Sequence, residues 1–325
     1  MVSSILRETN VSVHDVEAEL HALASPTKSA ARNLVIVIGS LLLFVLMGAV
    51  NADPLGILVV VTVLLIHELG HLAAMKGLGY RDVQMFFIPL FGAAVSSTET
   101  NPSGAKRAIV SLCGPAPGIA LGIICTVLFH ATGQRVFMDS ARTFLFLNTF
   151  NLLPLVPLDG GHCVEAILFS RTPILRALSS LGAGLALALI AIVARDVAFG
   201  ILAFFVFASV RQAYFSGKLA AQIKRELAQQ REEDSAARDR IPSQHIERLI
   251  PLLEQHLPEQ MCTAPGIAAA VRNIWNMVWF KPPSALASAC LLLLYIVCFG
   301  TGVVATIGAE ASFSRSGPDT VTTNN

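Results

Sequence analysis

The sequence predicts an all-α polytopic membrane protein of about six to seven transmembrane helices. A short re-entrant or β segment and a small cytoplasmic helical region complete the expectation. Three observations carry it. The chain is 54% hydrophobic and only 14% charged, where a soluble domain carries about 25% charged residues. Its apolar residues gather in seven runs, at about 33–50, 55–76, 108–130, 143–169, 177–194, 197–215 and 284–306, most of them near the ~20 residues that cross a hydrocarbon core. The basic residues are distributed unequally between alternate loops.

With the N-terminus in the cytoplasm, 19 of the 23 Lys and Arg residues fall on the cytoplasmic side, ten of them between Arg211 and Lys281. Only Arg135, Arg142, Arg195 and Arg315 remain outside. Membrane proteins keep Lys and Arg inside in this way. The expected organisation is a cytoplasmic N-terminal tail (1–32), a membrane core (33–215), a cytoplasmic helical region (216–283) and a C-terminal span with a polar tail (284–325). Arg outnumbers Lys and Ala is frequent, as in GC-rich bacteria, so the expected location is a bacterial inner membrane. No apolar stretch precedes Asn33, so no cleavable leader is expected. A net charge of +1 gives no reason to expect a nucleic-acid partner. The six cysteines show no CxxC spacing, which argues against a disulfide framework or a cysteine-based zinc site.

Taken in order, the tail holds a possible short helix at His14–Leu23. The run 33–50 is short for a span. Leu55–Met75 has no ionisable residue except His67, Glu68 and His71. Residues 81–105 contain an apolar stretch, Met85–Val95, too short to span and broken by Pro89 and Gly92; it reads as an extended, re-entrant or interfacial segment. The run 143–169 carries Asp159, His162 and Glu165 with no Lys or Arg, and is interrupted by Asn148, Asn151, Pro154 and Pro157. The pair 177–194 and 197–215 reads as two spans or a re-entrant hairpin. Lys218–Arg240 reads as a charged helix and Gln244–Gln255 as an amphipathic one. Gly266–Phe280 carries Trp275 and Trp279 one turn apart, which suits either a membrane interface or packing against the bundle.

Ionisable groups inside hydrocarbon are costly and mark functional sites. On a helix, His67 and His71 project from one face and can take two positions on one zinc ion. Glu68, in the same turn, can reach a bound water without being a ligand, the general-base arrangement of HExxH sites. A catalytic zinc needs a third protein ligand and an open position; Asp159, flanked by Leu158 and Gly160-Gly161, is the best candidate. The two glycines would allow close approach of a neighbouring helix. Asn151 could hydrogen-bond a carbonyl or oxyanion, or simply join two helices. His162 reads as support for the metal, as an alternative ligand or as structural. Glu165 reads as solvated or paired with Arg171, and Cys163 as a small buried thiol.

His67-Glu68-Leu69-Gly70-His71 and Asn151-Leu152-Leu153-Pro154-Leu155-Val156-Pro157-Leu158-Asp159-Gly160-Gly161 together resemble the two motifs of the site-2 protease family of intramembrane zinc metalloproteases. Phe86–Gly92 is similar to that family's embedded strand, and Gly114-Pro115 to the start of its next span. The resemblance covers about residues 50–170. It implies His67, His71 and Asp159 as zinc ligands and Glu68 as catalytic base. It also implies an embedded strand that pairs with an unwound transmembrane protein or membrane-inserted peptide. Many relatives carry Asn three residues after the Gly-Pro, where this chain has Gly118; that departure is expected to alter helix packing and not the zinc chemistry. The other readings are a membrane transporter, since broken helices and buried carboxylates also mark transport sites, and a non-catalytic zinc-binding membrane scaffold.

Overall fold

The computed structural model of the protein describes residues 11–24, 54–80, 83–88, 92–96, 103–156, 158–168, 173–195, 197–230 and 241–315. The expected span at 33–50, most of the N-terminal tail, Pro89, Pro157, Arg171, the end of the charged helix (231–240) and the polar tail after Arg315 lie outside the described residues. In chain order the elements are α1 (Val13–Ala24), α2 (Pro54–Gly77), β1 (Gln84–Ile88), β2 (Gly92–Ser96), α3 (Gly104–Cys113) and α4 (Pro115–Thr132). They continue with α5 (Arg135–Asn151), α6 (Asp159–Ile167), α7 (Pro173–Ala194), α8 (Val197–Gln230), α9 (Ser243–Glu254), α10 (Ala264–Trp279) and α11 (Ala285–Arg315). The fold is predominantly helical. Among the described residues, four stretches are long and apolar enough to cross a membrane: Pro54–Gly77, Gly104–Thr132, Phe199–Gln229 and Ala285–Ser314.

The chain divides into two packed units. One, formed by residues 27–97, 103–169 and 282–325, contains α2 to α6, the β-hairpin and α11. Its strands pair antiparallel, with Phe86 opposite Ala94 at the centre of the register. Ser103 caps α3 by accepting from the Lys106 N–H, and Gly114 keeps helical backbone angles (φ −68°, ψ −61°), so α3 runs on into α4. At the far end Gly133 adopts φ +69° and closes α4 by donating its N–H to the Phe129 carbonyl, a left-handed cap that glycine makes without strain.

The structure breaks the expected span at 143–169. Helix α5 stops at Asn151 and α6 begins at Asp159. Pro154 explains the break: it has no N–H to donate and its ring opposes the preceding turn. The intervening loop is tightly coiled, with Leu155 N–H on the Leu153 carbonyl at 2.7 Å and Leu158 N–H on the Leu155 carbonyl at 2.8 Å. Gly160 and Gly161 press against the backbone of Leu152 and Leu155, where a side chain would overlap. Their smallness therefore serves their own loop rather than a neighbouring helix. Tyr295 of α11 donates its hydroxyl to the Leu152 carbonyl at 2.7 Å and so occupies an acceptor that the broken helix leaves open.

The other unit, formed by residues 1–26, 98–102 and 170–281, holds α1 and α7 to α10. Helices α7 and α8 form an antiparallel hairpin that turns through Arg195 at φ +53°. Helices α1, α9 and α10 and the C-terminal part of α8 share an apolar core that includes Val16, Ile223, Leu249, Leu253, Ile267, Val271 and Trp275. Helix α9 reaches it by burying Ile246, Leu249, Ile250 and Leu253, one stripe at helical spacing. Arg248 of α9 forks onto Glu226 of α8 at 2.7 and 3.2 Å. Trp275 is buried in this core. Helix α1 belongs to the same core: Arg272 donates to the Leu23 carbonyl at 2.7 Å and Ser243 to the Glu17 carboxylate.

Candidate metal centre

Helix α2 has the burial pattern of a water-soluble helix turned inside out. Its buried residues are Val63, His67, Glu68 and His71, while Leu55, Leu58 and Leu69 are exposed. Successive steps of four place Val63, His67 and His71 on one stripe. An apolar exterior around a polar buried face is the arrangement hydrocarbon surroundings favour.

Asp159 meets this stripe from the first turn of α6. Its Oδ2 lies 2.9 Å from His67 Nε2 and 3.3 Å from His71 Nε2. The two Nε2 atoms are 3.2 Å apart, with the rings edge to face at 79°. Each imidazole is held from behind. His71 Nδ1 donates to the Val110 carbonyl at 2.9 Å. His67 Nδ1 lies 2.9 Å from Asn148 Oδ1, and the Asn148 amide nitrogen is already donating to the Phe144 carbonyl at 2.7 Å. The Asn148 oxygen therefore accepts, and His67 Nδ1 carries the proton. In both neutral rings the Nε2 lone pair is left free. Gly114 provides the space for the His71 ring, since a side chain there would overlap it.

With both rings neutral, three electron-pair donors face a common point, an arrangement that a cation would satisfy. Zinc bonds of about 2.0–2.1 Å in tetrahedral geometry separate donors by roughly 3.3 Å, and the observed separations, 2.9 to 3.3 Å, match this. Among the described residues His67, His71 and Asp159 are the group able to hold a metal, with all donor atoms within 4.8 Å of one another. Glu68 is beside them, 5% exposed, with Oε2 buried and without a hydrogen-bond partner. A buried carboxylate oxygen left open next to a cation site is positioned to take a proton from a water there.

The remaining expectations divide. Asn151 ends α5 and is half-buried; the amide that touches His67 belongs to Asn148, one turn earlier. His162 stands outside the donor set, with Nδ1 3.4 Å from Arg107 and 3.9 Å from Glu165. Glu165, expected either solvated or paired with Arg171, is buried, and Arg171 lies outside the described residues. Cys163 is buried, as expected. Asn148 was visible only as a polar interruption of an apolar run; the signal that could have singled it out is that an amide there needs a partner on another helix.

Comparison with known proteins agrees with this geometry. Residues 55–144 match the model of peptidase family M50. The chain is 29% identical over 143 residues to zinc metalloprotease MJ0392 of Methanocaldococcus jannaschii, covering 42% of this chain and 40% of that protein. It is 27% identical over 135 residues to stage IV sporulation protein FB of Bacillus subtilis, covering 40% and 46%. It is 32% identical over 126 residues to putative zinc metalloprotease Rip3 of Mycobacterium tuberculosis, covering 36% and 31%. The chain thus spans less than half the length of each of these relatives. The family match ends at residue 144, short of Asp159, whose place beside the histidines rests on the geometry. The stretch that resembles peptidase family M50, the site-2 protease family of zinc metalloproteases, therefore contains the histidine pair and the apolar membrane-length helix that carries it.

Proposed function

We propose that this protein is an intramembrane zinc metalloendopeptidase that hydrolyses a peptide bond of a transmembrane protein or membrane-inserted peptide. One observation carries the reading: two histidine ring nitrogens and one aspartate oxygen converge beside an orphaned glutamate oxygen, on the buried face of an apolar helix. His67, His71 and Asp159 hold the metal. Zinc, when bound there, supplies Lewis acidity that brings the pKa of a water to about 7 and polarises a peptide carbonyl. Glu68 takes the proton of the attacking water on Oε2 and returns it to the departing amide nitrogen. The Asn151 amide donates to the carbonyl oxygen as charge develops on it. Extended backbone in the β1–β2 hairpin offers an unwound substrate a strand to pair with.

The same proposal covers topology. The described membrane-length helices, with the run 33–50, the helix Ala177–Val193 and the broken α5–α6 segment, make six to seven crossings, the hairpin being re-entrant. The N-terminus and residues 216–283 lie in the cytoplasm of a bacterial cell, around a membrane core at 33–215 closed by the span at 284–306. His67 is ten residues from Gly77, about 15 Å along the helix, which supports cleavage in the cytoplasmic half of the bilayer.

The test is cleavage of a transmembrane reporter by the purified protein in detergent, with zinc content measured on the same sample. The expected result is cleavage that disappears with Glu68→Gln and with a chelator, from protein holding about one zinc per chain. A folded sample that takes up no zinc, or a Glu68→Gln variant that cleaves at the wild-type rate, overturns the reading.

A further inference from the structure

Helix α4 presents Gly118 and Gly122, four residues apart, to helix α5. A side chain at Gly122 would meet Leu145, its nearest atom at 2.6 Å, and one at Gly118 would overlap the amide of Asn148. Paired small residues of this kind let membrane helices pack closely. The two glycines nevertheless face different partners. Leu145 is an apolar core residue, whereas Asn148 is fully buried and committed at both ends of its amide, to Phe144 and to His67.

We infer that Asn148 is the positioning residue for the metal ligand His67, and that Gly118 is the vacancy that lets it act. The inference rests on the zinc reading of the site. The carboxamide oxygen accepts from Nδ1, which fixes the tautomer with Nε2 unprotonated and sets the ring plane towards Asp159. The Phe144 carbonyl holds the amide the right way round. Any side chain at 118 displaces the amide, and with it the ring. The departure at Gly118 is therefore tied to the metal site after all, contrary to the expectation from sequence. An outer partner of this kind on a ligating histidine is worth about 10- to 100-fold in metal affinity.

The experiment is zinc competition against a chromophoric chelator on the full-length protein in detergent, with thermal unfolding followed in parallel. Asn148→Leu, of similar volume but without an acceptor, is expected to weaken zinc binding by about 10- to 100-fold. Asn148→Asp, which retains an acceptor oxygen, is expected to bind within several-fold of wild type. Gly118→Ala is expected to weaken binding in the same direction, and to add no further loss when combined with Asn148→Leu. Gly122→Ala, which disturbs the same helix pair only at Leu145, is expected to lower the unfolding temperature and leave zinc affinity unchanged. Wild-type affinity in folded Asn148→Leu, or equal losses for the two glycine variants, overturns the inference. If Asn148→Leu does not fold, the contrast between Gly118→Ala and Gly122→Ala decides. A wild-type protein without zinc removes the functional reading itself; zinc in wild type with an indifferent Asn148→Leu removes this inference alone.

Discussion

Helices α2 and α9 use the same spacing to opposite ends. Helix α9 buries Ile246, Leu249, Ile250 and Leu253 and turns Glu247 and Arg248 outward. Helix α2 buries His67, Glu68 and His71 and turns leucines outward. The hydrophobic effect accounts for α9, which hides its apolar stripe from water. It cannot account for α2, whose outward surface is apolar already. What α2 gains by burial is a set of fixed hydrogen bonds and a place for a cation. In the one helix the buried face holds the fold together; in the other it contributes two of the three groups that could hold a metal.

The contrast can be broken from either side. The largest effect is expected from His71→Ala, which removes one of the donors: zinc content should fall well below one per chain and cleavage to background, read by metal analysis and the reporter assay. Glu68→Gln should retain zinc while turnover drops about 100- to 10,000-fold, the range of a positioned proton carrier. Equal zinc loss in Glu68→Gln would make it a ligand instead. In α9, Leu249→Ala should cost about 2–5 kcal/mol in the stability of its own unit by opening a cavity, seen as faster amide exchange across α9 and α10, with zinc content unaltered. Tyr295→Phe leaves the Leu152 carbonyl without that donor, at about 1–3 kcal/mol for a buried acceptor, and should speed zinc release through the loop that carries Asp159. Arg248→Ala should change stability by only about 0.5 kcal/mol, because the Glu226 pair is solvated; a larger shift would mean that the fork organises the helices around it.

Much of the site was legible because it is local. His67, Glu68 and His71 lie within five residues, and helical periodicity alone brings the imidazoles together. Their setting in an apolar run told of a site, since charge is not kept in hydrocarbon without use. Asp159 could be nominated from its run and from the family's second motif, but only the fold brings its Oδ2 to 2.9 Å from His67. The sequence nominated Asn151 and passed over Asn148, because which of two amides one turn apart meets a partner depends on the rotation of α5 against α2 and α4. Pro154 announced an interruption in the run 143–169; the full break into two helices also needed Gly160 and Gly161 packed on the loop and Tyr295 from a helix far along the chain.

The sequence by itself determined the chemistry available: apolar spans, a histidine pair at helical spacing, a neighbouring carboxylate and a loop with proline and glycine. These are properties of period, composition and backbone, which act between near neighbours. The tertiary structure decided which partners complete them. The Val110 carbonyl and the Asn148 amide select the tautomers of the two histidines, and helix α1 joins a core built mainly from residues beyond 215. Such choices are made by contacts between residues distant in sequence, where side-chain volume and the pairing of buried polar atoms leave a single arrangement that satisfies every donor and acceptor.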